Sequence, residues 1–158
     1  MRVLAIDPGP TESAYVLLND HGAPVQWQKK PNGDLRLHLE KLGALEAAQV
    51  LAVEMVASYG MPVGAEVFDT CVWIGRFIER WGGDYKLIPR AEVKLHLTNT
   101  RNAKDANVRQ ALIDRFGPGK DAAVGKKANP GPLYGLTGDC WSALAVAVTV
   151  VDSEGEAA

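Results

Sequence analysis

The sequence predicts an α/β domain, a mixed sheet of five strands with helices on its faces. Three observations lead there. Five short apolar segments, at 2–7, 11–18, 24–28, 50–54 and 84–88, have strand length and strand composition. The stretches between and after the last three carry apolar residues at helical spacing. Their order is three strands, a helix, a strand, a helix, a strand and then helices, so a meander is followed by crossover units.

The elements follow in chain order. Val3-Leu4-Ala5-Ile6-Asp7 forms the first strand and stops at Pro8-Gly9-Pro10. Thr11 to Leu18 is the second, turned by Asn19-Asp20-His21-Gly22 into a third over Pro24 to Gln28. Leu35, Leu39 and Leu42 predict a helix from Asp34 to Leu45, with Asp34 as its N-cap. Val50 to Glu54 is a strand, and Met55 to Met61 a loop. Pro62 to Trp81 reads as a long helix whose apolar residues, among them Val67, Phe68, Val72, Ile74 and Phe77, cover more than one face; it needs the sheet on one side and a second partner on the other. Asp84 to Ile88 is the fifth strand, Arg90 to Leu97 and Ala103 to Phe116 are helices, and Gly117-Pro118-Gly119 stops the second. Lys120 to Gly138, rich in Gly, Pro and Lys, reads as a loop. Asp139 to Val151 is the closing helix. A single domain is expected over 1–152, with 153–158 a frayed tail.

Three of these apolar elements carry an acid where only hydrophobic residues are expected. Asp7 ends the first strand, Glu54 ends the fourth, and Asp139 opens the last helix. An ionised carboxylate in such a place is costly unless it is paired or bound to metal. Open α/β sheets place their sites at the C-terminal ends of strands, where Asp7 and Glu54 lie. Each acid alone also has a plain structural reading: a turn residue for Asp7, an ion-pair partner for Glu54, a helix N-cap for Asp139. Together they point to a divalent-cation site acting on phosphates. Carboxylates crowded together raise one another's pKa, and two ions roughly 3.5–4 Å apart would relieve this while activating water and stabilising a leaving oxygen. Mg²⁺ suits an all-oxygen site, and Mn²⁺ should substitute.

Charge gives a second pointer. The net charge is −2, yet Lys86 to Lys127 holds ten Lys/Arg against four Asp/Glu, a local +6 within a remainder of −8. A basic segment on a mildly acidic chain suits a localised polyanion contact. The 47% apolar content is that of an ordinary globular protein, and no apolar run nears the ~18 residues of a membrane span. The N-terminus enters a strand at once, without signal-peptide design, and Cys71 and Cys140 are too few for a disulfide framework; a cytoplasmic protein with reduced thiols is expected.

The three acidic motifs, Leu4-Ala5-Ile6-Asp7-Pro8-Gly9, Leu51-Ala52-Val53-Glu54 and Gly138-Asp139 with Ala143-Leu144-Ala145-Val146-Ala147, resemble in order and spacing those of RuvC-family Holliday-junction resolvases, over residues 3 to about 150. Tyr59-Gly60-Met61-Pro62-Val63-Gly64 resembles the phage or prophage branch. The resemblance implies a ribonuclease H-like fold and a Mg²⁺-dependent endonuclease that cuts four-way junctions by paired nicks, leaving 5′-phosphate and 3′-hydroxyl ends. It implies that Asp7, Glu54 and Asp139 hold two metal ions. Where the family carries a further acid one helical turn beyond the last motif, this chain has Ser142, whose hydroxyl can hydrogen-bond a metal-bound water. Lys94 and Lys104 match basic residues near the scissile backbone, with Lys104 a point cation on the phosphate. Tyr59 and Met61 occupy the loop that enters the junction.

Branched DNA is thus the expected partner, with phosphate contacts from Lys94, Arg101, Lys104, Lys126 and Lys127. Two nicks on opposed strands suit a C2 homodimer, with the 62–81 helix as interface. The alternatives are a non-catalytic branched-DNA-binding protein, to which Ser142 lends support, and the same chemistry on forks, flaps or RNA–DNA hybrids. An actin-like ATP enzyme is disfavoured: 158 residues are few for two lobes, and no glycine loop with a Lys is present, so no nucleotide cofactor is expected.

Overall fold

A computed structural model describes residues 1–44 and 46–157. Leu45, the expected end of the first helix, and Ala158, the last residue of the expected tail, lie outside them. The elements are β1 Val3–Asp7, β2 Glu12–Leu18, β3 Pro24–Pro31, α1 Asn32–Ala44, β4 Val50–Met55, α2 Ala65–Trp81, β5 Tyr85–Pro89, α3 Arg90–Thr98, α4 Asp105–Phe116, α5 Lys120–Ala123, β6 Gly125–Lys126, β7 Asn129–Pro130 and α6 Cys140–Ala157. The sheet of five runs β3-β2-β1-β4-β5. β1 pairs antiparallel with β2 and β2 with β3, while β4 lies parallel to both β1 and β5. The mixed α/β architecture is the one expected.

Side-chain alternation divides the core into two layers. Leu4, Ile6, Tyr15, Leu17, Leu51 and Val53 pack toward α1 and α2. Val3, Ala5, Ala14, Val16 and Ala52 pack toward α6. α6 is buried along nearly its whole first half, from Cys140 through Val148 with only Ser142 partly exposed, so it is apolar all round. It also runs past the expected end at Val151. Asp152 accepts two hydrogen bonds from Arg115 of α4 (2.7 and 2.8 Å) and stands 2.7 Å from His96 of α3, and Glu154 pairs with Lys86 of β5. These ties hold the last turns onto the domain.

Other differences have local causes. α1 begins at Asn32, two residues before the expected cap, because Asn32 is buried and bonded to the β1–β2 turn. α2 begins at Ala65 rather than Pro62, since Gly64 is extended and caps it. The expected loop at 120–138 contains α5 and the β6–β7 ribbon. This fold-back requires glycine at 131, where a Cβ would lie 2.3 Å from the Ala122 carbonyl oxygen. α2 buries Thr70, Ile74 and Phe77 and leaves Phe68 and Val72, four residues apart on its other side, about 60% exposed.

Candidate metal and phosphate site

Register brings the site together. Lys29 of β3 pairs with Ala14, and Ala14 pairs with Asp7. Ile6 pairs with Val53, so the next residues in the parallel strands are Asp7 and Glu54. Cross-strand neighbours share a face. Lys29, Ala14, Asp7 and Glu54 therefore form one row on the α6 side, two residues beyond Ala5 and Ala52. Asp139 lies immediately before α6, which covers that face. Glu54 in turn pairs with Ile88, and Met55 with Pro89, so the chain leaves β5 at Arg90 beside Glu54.

Asp7 is fixed by the turn that follows it. The Gly9 N–H donates to Ser13 Oγ (3.1 Å), Ser13 Oγ donates to Asn32 Oδ1 (2.6 Å), and Asn32 Nδ2 donates back to the Gly9 carbonyl (2.9 Å). The Asn32 backbone N–H reaches the Thr11 carbonyl at 2.9 Å. A Cβ at Gly9 would stand 2.4 Å from the Glu12 carbonyl oxygen, so the close approach demands glycine.

Asp7 feels the charges of the other two carboxylates. Burial first, then the charges of Glu54 and Asp139, push the Asp7 carboxyl up to about 7 against the opposing pull of Arg90 and Lys29. Burial also raises Glu54, with Arg90 pulling it back. Of the three, Asp7 alone has no cation within ion-pair distance among the described residues. Glu54 takes Arg90 Nη1 on both oxygens at 3.2 Å, and Asp139 Oδ2 takes Lys29 Nζ at 2.7 Å. The ion-pair reading of Glu54 is thus realised, and Asp139 turns its side chain to β3. As they lie, no group of three or more His, Cys, Asp or Glu side chains among the described residues is close enough to share an ion. The expectation of three acids gathered ready-made around metal is corrected to that extent, because two of them are held by cations. The donor set nonetheless suits a hard divalent cation: all its ligating atoms are carboxylate oxygens, and the charge on Asp7 is only partly compensated.

Beside the acids opens a cleft of about 400 Å³. Glu54, Arg90, Lys94, Asp105, Asp139 and Ser142 line it, over a floor that includes Val93, Val108 and Trp141. Arg90 Nη2 reaches Asp105 Oδ1 at 2.6 Å, and Lys94 lies 3.9 Å from the same oxygen. The Arg109 guanidinium sits 4.4 Å from the centre of the Trp141 ring. Lys94 and Ser142 both line this cleft. Lys104 does not line the cleft. It is exposed, precedes α4, and its backbone N–H is bonded to Asn107 Oδ1 at 3.1 Å. Arg101 is exposed before α4, Lys126 and Lys127 are exposed in the β6–β7 ribbon, and none of the three forms an ion pair among the described residues. Tyr59 and Met61 are over 70% exposed in the β4–α2 loop, with Tyr59 at φ 48°.

Sequence reasoning missed Lys29, Arg90, Asp105 and Arg109 as site residues. Two had a readable signal. Arg90 and Lys94 share a helical face at i, i+4, and Lys29 follows Trp27 at i+2 once β3 is extended. Cys140 is buried, its thiol pushed up by burial and then by Asp139 and Asp7, as suits a packing residue. No helix among the described residues is long and apolar enough to cross a membrane.

No family model matches the chain, and no curated protein matches it. Solved structures do. Thermus thermophilus RuvC superposes with a TM-score of 0.71 at 16% identity, over 99% of this chain and 97% of that one. T. thermophilus RuvC in complex with Holliday junction substrate superposes with a TM-score of 0.70 at 16% identity, over 99% and 96%. Over its whole length, then, the chain has the fold of RuvC, a ribonuclease H-like mixed sheet of five strands flanked by helices.

Proposed function

We propose that the chain is a Mg²⁺-dependent, structure-selective DNA endonuclease that resolves Holliday junctions by paired nicks. One observation supports the reading: in a RuvC-like fold, Asp7 feels the charges of Glu54 and Asp139, and those two line a cleft together with Arg90, Lys94 and Arg109. Asp7, Glu54 and Asp139 would hold the metal, with Ser142 contributing a water-mediated contact. When bound, the metal supplies an activated water and charge compensation at the scissile phosphate. Around it, Lys94 and Arg109 hold the backbone in the cleft, and Lys104 and Arg101 meet the phosphates beside it. Lys126 and Lys127 extend the basic surface. Exposed Tyr59 and Met61 enter the junction. The domain working in this way is residues 1–152.

Paired nicks need two sites in fixed relation, which a homodimer supplies. The exposed Phe68 and Val72 of α2 favour that helix as the interface. A 17.0 kDa species at micromolar concentration in sedimentation would refute it. Ser142, partly exposed in the cleft where an acid was expected, favours a second reading, junction binding without cleavage.

The deciding experiment compares a labelled four-way junction with linear duplex, Y-fork, flap and RNA–DNA hybrid, in Mg²⁺, Mn²⁺ and EDTA, with Asp139→Asn as control. Symmetric junction nicks, absent in EDTA and in Asp139→Asn, are expected. Tight junction binding without cleavage in either metal would select the second reading. Preferential cutting of forks or hybrids would move the substrate and keep the chemistry.

A further inference from the structure

We propose that Arg90 is a resident counter-cation that closes the metal-free site: it occupies Glu54 in place of a divalent ion and, once displaced, stays anchored to Asp105 as a phosphate contact at the cleft. This rests on the metal-dependent reading above and goes beyond it. The backbone keeps Arg90 in place, since it directly follows Pro89, which pairs with Met55, the residue after Glu54. Its side chain spans two environments. One end holds Glu54, whose side chain is 14% exposed, and the other holds Asp105, which is 74% exposed.

The two grips differ. Nη1 reaches both Glu54 oxygens at 3.2 Å, whereas Nη2 reaches Asp105 at 2.6 Å. A cation that binds Glu54 competes for those same two oxygens, so the Glu54 end is the one it breaks, and the contact to Asp105 is left in place. Guanidinium never gives up its proton, so release cannot come by neutralisation; another cation has to replace it. Asp105 is the first residue of α4, where the helix dipole favours an acid, which helps hold the anchor in place. A freed Nη1 then faces a cleft it already lines with Lys94. A purely structural Arg90–Glu54 pair predicts equal or weaker metal binding, because removing Arg90 would leave a buried acid uncompensated and loosen the site.

The test is Mn²⁺ binding to the full chain without DNA, followed by the electron paramagnetic resonance of free Mn²⁺. Wild type is compared with Arg90→Gln and Arg90→Lys, and folding is checked by circular dichroism. Arg90→Gln is expected to bind Mn²⁺ about tenfold more tightly, the scale of one partly buried ion pair. Arg90→Lys, which keeps the charge without the two-pronged grip, should fall between, and it carries the test if Arg90→Gln does not fold. Junction binding in Ca²⁺ should weaken in Arg90→Gln, with a log–log salt slope shallower by about one. Equal or weaker Mn²⁺ affinity in folded variants overturns the closure, and an unchanged salt slope overturns the phosphate contact. Absence of Mn²⁺ binding in wild type and both variants overturns the metal-dependent reading itself, and this inference with it.

Discussion

The two ends of the carboxylate row are built by different means. Asp7 is held by backbone: a turn locked by Gly9, Ser13 and buried Asn32, at the centre of the sheet. Glu54 and Asp139 are held by charge, through Arg90 and Lys29, whose side chains are about 40–50% exposed. The first arrangement fixes the backbone and leaves the acid only partly compensated, without an ion-pair partner of its own. The second is compensated and reversible. On the proposed reading, a site that accepts a cation and closes on a phosphate would gain from both, one fixed ligand and others that exchange partners.

That contrast can be broken most severely at Asp7. Asp7→Asn should lower junction cleavage by roughly a thousandfold or more, the scale of losing a central charged group in a preorganised site. Its effect on the metal-free fold should have the opposite sign. A carboxyl at about 7 in the folded state and in the ordinary range when unfolded binds more protons folded than unfolded between those values. Stability is therefore full below about pH 4 and falls as pH rises through 7, by on the order of 4 kcal/mol. Asp7→Asn should remove this loss, so in EDTA its melting temperature should exceed wild type at pH 8 and match it at pH 4. Raised Glu54 acts in the same direction. Asp152, held below the usual carboxylate range by Arg115 and His96 despite its burial, acts in the other, losing its contribution as acid is added.

Next comes the turn. Asn32→Ala removes two side-chain bonds and leaves the buried Ser13 hydroxyl without its acceptor. Urea denaturation should show a loss of about 2–3 kcal/mol, with cleavage falling because Asp7 loses its support. On the charge-held side the same experiment should show little. Lys29→Gln, about half exposed, should cost under about 1 kcal/mol. A larger loss would make that side structural and erase the contrast. Smallest of all, Lys126→Gln with Lys127→Gln should leave stability unchanged and reduce the salt slope of junction binding by about two.

The same division separates what the sequence reveals from what it conceals. Asp7, Glu54 and Asp139 are legible because each interrupts an apolar run at an element end, and alternation puts Asp7 in phase with Ala5 and Glu54 with Ala52. Five strands and the main helices are legible from periodicity. The partners are not. Lys29 and Arg90 meet their acids across 110 and 36 residues of chain, through register that only the folded sheet defines. Asn32 carries no such signal, and only the fold shows its side chain closing on the Gly9 carbonyl. The α5 and β6–β7 segment hides because its four-residue helix and two-residue strands are too short to carry a period.

The measurement closest to the central claim is the titration of the Asp7 carboxyl carbon by NMR in metal-free protein and again with saturating Mg²⁺. The account predicts a midpoint near 7 without metal, moving well below it when Mg²⁺ is added, because a bound cation favours the charged form. An Asp7 that titrates in the ordinary carboxylate range without metal, or that ignores Mg²⁺, would contradict it.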